Sequence, residues 1–220
     1  MAEISKQTDQ LDELYLSNAV RTYSSNLSVI GGVVRVEDLS QLNISSFNKL
    51  IEVANQMYDY IVVDTATHSL DEMTMFFVQK AHHLVLVSTF DLLAIKDNRF
   101  YIQTLKQIGT EESKIKVVIN RQDWYIGSLE PEVIQKQINH PIYYALPNDW
   151  ELCVEAANYG KPILEFAPNS PLSMSYKILA GKLTGLDILG QTSFRGDEEV
   201  EDTTQKELKT EKKKGILNWF

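Results

Sequence analysis

Apolar residues recur along this chain in two rhythms: a helical spacing, and short continuous runs of the kind that fill buried strands. Leu11, Leu14, Tyr15 and Ala19 share one face of a helix predicted over residues 8 to 21. Leu27 to Ile30 is a short strand candidate ending at Gly31-Gly32, and Phe47, Leu50, Ile51 and Ala54 mark a helix from about Ser45 to Met57. Tyr60-Ile61-Val62-Val63 then leads straight into Asp64. That pattern predicts a buried parallel strand delivering a carboxylate to its C-terminal edge. Further helices are predicted at about Leu70 to Ala81, Leu93 to Ile108, Glu130 to Ile138, Trp150 to Tyr159 and Pro171 to Leu183. Between them lie strands at Leu84 to Val87, at Ile115 to Ile119 (stopped by Asn120-Arg121) and at Ile142 to Leu146.

Strand and helix alternate with short connections, the pattern of an α/β doubly wound, mostly parallel sheet flanked by helices. Right-handed crossovers bring the C-terminal ends of such strands to one rim, near which Asp64, Ser88, Asn120 and Pro147 fall. The domain expected from this pattern covers residues 1–189. Beyond Leu189 large apolar side chains nearly vanish until the end of the chain. The acidic block Asp197 to Asp202 is followed by the basic block Lys206 to Lys214. A composition of this kind cannot build a core, and residues 190–220 read as a charged, disordered tail.

Composition narrows the function classes. The 220 residues are 44% hydrophobic and 23% charged, as in an ordinary globular protein. A formal net charge of −9 argues against a general nucleic-acid binder, which must neutralise a phosphate backbone. Met1 to Lys6 lacks the basic and apolar regions of a signal peptide, and no apolar stretch approaches the about 20 residues that span a bilayer. A single cysteine, Cys153, fits a reducing compartment, and its helical neighbours predict burial. A cytoplasmic location is the expectation. His68 and the pair His82-His83 suggest a metal at first sight. Adjacent histidines on a strand point to opposite faces, however, which favours loop or strand-entry roles.

The stretches "YDYIVVD", "HLVLVSTFD", "KVVINR" and "ALPNDWELCVEAANYGKPILEFAPNSPLS" follow one another in an order that resembles the MinD/ParA group of P-loop ATPases. The match is best to the CpaE/TadZ branch, associated with Flp (Tad) pilus assembly. In that branch the acid strand leads into a segment that Asp64, His68, Leu70, Asp71 and Glu72 fit here. The resemblance runs from about Leu11 to Gly185. It implies that Asp64 holds a magnesium ion through water, that Asn120 and Arg121 face the adenine, and that Pro147 to Asp149 form the loop on its other side. An Asn amide suits adenine because it offers both a donor and an acceptor. Structural roles stand beside these: Asp64 as a turn cap, Asn120 as a turn residue and Asp149 as the N-cap of the helix starting at Trp150.

A phosphate cradle needs glycines that let backbone N–H groups approach, and a lysine for charge. The two Gly-Lys pairs, Gly160-Lys161-Pro162 and Gly181-Lys182-Leu183, do not continue to Ser or Thr, and Gly31-Gly32 has no lysine. The sequence thus reads as P-loop NTPase-like but missing the phosphate-loop strand. In the family, the phosphate-loop strand and the next one flank the acid strand. Without them, Tyr60 to Asp64 would lose both ladder neighbours, at about 1–3 kcal/mol for each buried group left unpaired.

Two functions compete on this reading. One is a non-catalytic localisation or assembly factor for a Flp pilus or secretion machine, with proteins of that machine as partners and a homodimer as its simplest assembly. It would use no cofactor as written. The alternative is the C-terminal part of a MinD/ParA-like ATPase, binding ATP and Mg when a phosphate loop is supplied upstream or on another chain. A DNA-partitioning relative would need a basic surface, which the acidic balance opposes.

The tail carries a further expectation. Related ATPases tie a C-terminal amphipathic segment to the inner face of the membrane, and here Lys212, Lys213 and Lys214 precede Ile216, Leu217, Trp219 and Phe220. Lysines near an anionic surface contribute about 1 kcal/mol each, and the apolar side chains can enter the headgroup boundary. Weak peripheral contact is therefore expected. Liposome flotation should recover more intact chain than a version ending at Lys209; equal recovery with anionic lipid would rule the contact out.

Overall fold

The computed structural model describes residues 11–32, 43–65, 71–122 and 131–188. They divide into two compact units, Met1–Leu84 with Gln103–Ile115, and Val85–Ile102 with Lys116–Phe220.

In the first unit Asp12 caps α1 (Glu13–Ala19), its carboxylate accepting the Tyr15 N–H at 2.7 Å. That cap sets the helix phase. Leu11 and Leu16 turn inward while Leu14 is 72% exposed, so the face expected from Leu14 and Ala19 is corrected. A hairpin follows, β1 (Arg21–Ser24) antiparallel to β2 (Leu27–Val29). Helix α2 (Ile44–Met57) starts at Asn43, whose side chain accepts the Ser46 N–H at 2.8 Å. Its Phe47, Leu50, Val53 and Ala54 form a core with Leu11, Leu16 and Phe76. Phe76 lies on α3 (Glu72–Lys80), which Asp71 caps, and the neighbouring Phe77 meets Phe47 edge to face at 5.5 Å.

The second unit is organised around a three-stranded sheet in the order β3 (Leu84–Ser88), β4 (Ile115–Gln122), β5 (Ile142–Pro147). Its helices are α4 (Leu92–Gln107, which also enters the first unit), α5 (Pro131–Ile138), α6 (Trp150–Asn158), the short α7 (Ile163–Phe166) and α8 (Pro171–Thr184). The central strand is buried on both faces, as in a sheet covered by helices on each side: Val117 and Ile119 are 0% exposed and Val118 packs with Leu146 and Leu172. Ser170 caps α8, Pro171 occupies its first turn, and Gly185 ends it in the left-handed conformation (φ 72°) that glycine adopts without strain. Cys153 is exposed, not buried, because Ala156 sets the inward side of α6. His82 and His83 are exposed residues ahead of β3, and no metal-binding group of three or more His, Cys, Asp or Glu occurs among the described residues.

The largest departure from the sequence pattern is Tyr60–Asp64. It forms no strand, all five residues are exposed, and Val62 is 93% exposed. The reason is pairing. β2 takes β1 as its partner, the other sheet comprises β3–β4–β5, and no ladder among the described residues includes Tyr60–Asp64. The segment avoids unpaired buried amides by staying in water. In doing so it forgoes up to about 1.5–3 kcal/mol at Val62, and less at the partly covered Ile61 and Val63, that a larger sheet would gain. β3 carries a milder form of the same signature, with Val85 and Val87 exposed on one face.

Unfolding in denaturant should therefore separate two apolar truncations. Ile119→Ala should cost about 2–5 kcal/mol, the range for a buried aliphatic cavity, and Val62→Ala less than about 0.5 kcal/mol. Comparable losses would show that Val62 is packed.

Candidate functional site

Parallel pairing of β4 with β5 places Gln122 opposite Pro147, so two strand ends meet at one edge of the second unit. The Asn148 N–H donates to the Gln122 carbonyl at 3.2 Å and ties the loop after β5 to the end of β4. The ladder shifts register between Ile119 and Gln122, and within that shift Arg121 adopts φ 56°. A left-handed arginine costs about 1–3 kcal/mol and persists only where the surrounding structure holds it. Asn120 turns its side chain back, Oδ1 accepting the Arg121 N–H at 3.0 Å, which fixes the plane of the amide.

Asp149 accepts the Leu152 N–H at 3.2 Å and is the N-cap of α6, as its structural reading anticipated. Asn120, Arg121, Pro147 and Asp149 are thus brought together by the β4–β5 pairing. Asp64 belongs to the first unit, exposed and outside any strand. His68 and the tail residues Lys212, Lys213, Lys214, Ile216, Leu217, Trp219 and Phe220 lie outside the described residues.

One further cluster escaped sequence reasoning. At the end of β3, Ser88 is buried, the Thr89 hydroxyl donates to the Asp91 carboxylate, and Asp91 Oδ1 accepts the Ala94 N–H at 2.9 Å in the first turn of α4. The Thr89 hydrogen bond, followed by that from Ala94, holds the Asp91 carboxyl below its ordinary 3.8. The signal was present in Ser-Thr-Phe-Asp just ahead of a helical run, an N-cap pattern.

The phosphate side has a different character. Gly160 (φ 62°) follows the C-terminal end of α6, and Gly181 is buried inside α8. Anions are held by the free N–H groups of a helix N-terminus, so neither Gly-Lys pair is placed to cradle one. The edge at Asn120 and Pro147 offers groups suited to the polar rim of a base.

The fold is of a recognisable class, α/β with a parallel sheet flanked by helices, and it matches the ParA/MinD P-loop NTPase-like fold. The chain superposes on the crystal structure of a ParA family ATPase from Chlorobium tepidum with a TM-score of 0.76 and 27% identity, covering 83% of this chain and 75% of that one. It is 26% identical over 140 residues to the septum site-determining protein MinD of Thermotoga maritima, covering 62% of this chain and 51% of MinD. An uncharacterized ATP-binding protein of Methanocaldococcus jannaschii is 21% identical over 170 residues, 77% of this chain and 63% of that protein. The chain thus spans between half and two thirds of these two curated relatives. No protein-family model matches. No described helix is long and apolar enough to cross a membrane.

Two substitutions test the local chemistry. Asp149→Ala should cost about 0.5–2 kcal/mol of stability, the value of an N-cap; no loss would mean the cap bond is not formed. Asp91 has a lowered folded pKa, so the unfolded chain binds more protons and stability rises with pH through the window around and below 3.8. Its contribution is complete above that value and lost as pH falls through the folded pKa. Between about pH 6 and pH 3 the wild type should lose more stability than Asp91→Asn; equal losses would contradict the assignment.

Proposed function

We propose that this chain is the base-binding part of a MinD/ParA-type ATPase module whose phosphate loop is supplied by an upstream segment or by another chain. The observation that carries this reading is the open apolar run Tyr60–Val63 leading to Asp64. It has the composition of a central strand and the exposure of a segment awaiting neighbours. Strands paired on its edges would satisfy its backbone and let helices cover those side chains, hold Asp64 at a strand end and supply the backbone amides that phosphate binding requires. Asp64 would then serve magnesium, and Asn120, Arg121, Pro147 and Asp149 would serve the adenine.

A second reading draws on the segment from Asp64 through His68 and Leu70 to Asp71 and Glu72. This is the CpaE/TadZ-like localisation factor for Flp pilus assembly, working as a scaffold without turnover. The tail would add weak membrane contact to either function.

Calorimetry with ATP and magnesium separates the two readings. The chain alone should bind at most weakly and with little dependence on the γ-phosphate, because adenine contacts leave the triphosphate charge uncompensated on an acidic protein. With a phosphate-loop segment supplied, affinity should rise and fall again in Asp64→Ala. Micromolar affinity of the chain alone that is lost in Asp64→Ala would overturn the divided site. Failure of any supplied segment to raise affinity would favour the scaffold.

A further inference from the structure

Helix α6 turns an apolar stripe to solvent. Trp150, Cys153, Val154 and Ala157 occupy positions i, i+3, i+4 and i+7, which share one helical face, and all four are exposed, Trp150 at 60% and Val154 at 39%. The opposite side, centred on the buried Ala156, packs inward. Beside the stripe stand two exposed acids, Glu151 and Glu155, and α6 carries no cation of its own. An apolar stripe with carboxylates on its flank calls for an occupant that is both apolar and basic.

We propose that this occupant is the end of the same chain, residues Lys212–Phe220, folded back onto α6. Charge selects it. Lys212, Lys213 and Lys214 supply cations for Glu151 and Glu155, while Ile216, Leu217, Trp219 and Phe220 supply apolar surface for Trp150 and Val154. A second copy of α6 is a poorer occupant, because paired stripes would set carboxylates against carboxylates. Reach permits the contact. The roughly 23 residues between Ile188 and Lys212 behave, if unstructured, as a coil with a mean span of about 25 Å, against a radius of about 12 Å for a unit the size of the second one, to which both Ile188 and α6 belong. A tether of that length holds the segment at an effective concentration near the millimolar range, enough for a weak contact to be populated. The tail is then occupied in solution and must leave α6 before it can engage anything else.

Cys153 reports on the contact because it lies within the stripe and is the sole thiol. The rate of its reaction with a maleimide is measured for the full chain and for a version ending at Lys209. Truncation should raise the rate at least threefold, and a synthetic Lys212–Phe220 peptide at millimolar concentration should restore the protection. In a Glu151→Lys, Glu155→Lys background truncation should change nothing; comparing each background with its own truncation cancels any direct effect of those charges on the thiol. The ratio should be constant over a tenfold range of protein concentration. Equal rates with and without the tail would overturn the proposal and leave the tail free for a membrane. Protection that grows with protein concentration would overturn it in favour of a second copy.

Discussion

A strand buried on both faces must spend its backbone hydrogen bonds on two neighbours, and this requirement governs the molecule. β4 meets it. With β3 on one side and β5 on the other, Val117, Val118 and Ile119 are buried while their strand has a hydrogen-bonded neighbour on each side. Tyr60–Asp64 has similar residue types but no ladder among the described residues, and all five of its residues are exposed. Burial follows the ladder, and hydrophobicity alone does not secure it.

The same constraint divides the site. Where strands pair, the candidate edge is built: the β4–β5 register carries Asn120 and Arg121 to the loop from Pro147 to Asp149, with the Gln122–Asn148 hydrogen bond holding the two together. Asp64, the carboxylate proposed to serve a metal, sits on the exposed run, outside every ladder among the described residues. On the proposed reading, the base edge would be preorganised and the phosphate side would await its neighbours. Preorganisation is what phosphoryl transfer depends on, since its catalysis is mostly placement and charge.

Legibility followed the same line between local and non-local information. Periodicity located α2, α4, α8 and the strands β3 to β5 closely, because their apolar spacing is written in consecutive residues. It misjudged α1, where the Asp12 cap and not the best-looking face sets the phase, and α6, where Ala156 and not Cys153 turns inward. It missed β1, since Arg21–Ser24 is exposed throughout and shows no alternation. Tyr60–Asp64 was read as a strand because its composition encodes what the segment would bury, whereas pairing depends on residues far away in sequence. At the candidate site, Asp149 was legible as a cap and Asp91 was not singled out. The left-handed Arg121 comes from a register shift that no local motif announces.

The central claim is that the acid-bearing run is an open place in the sheet architecture, and amide hydrogen exchange on the isolated chain tests it most directly. The account predicts that Ile61–Asp64 exchange at rates close to those of an unstructured peptide while Val117–Ile119 stay strongly protected. Protection at Ile61–Asp64 equal to that of β4 would mean the run is already paired, and would contradict the account.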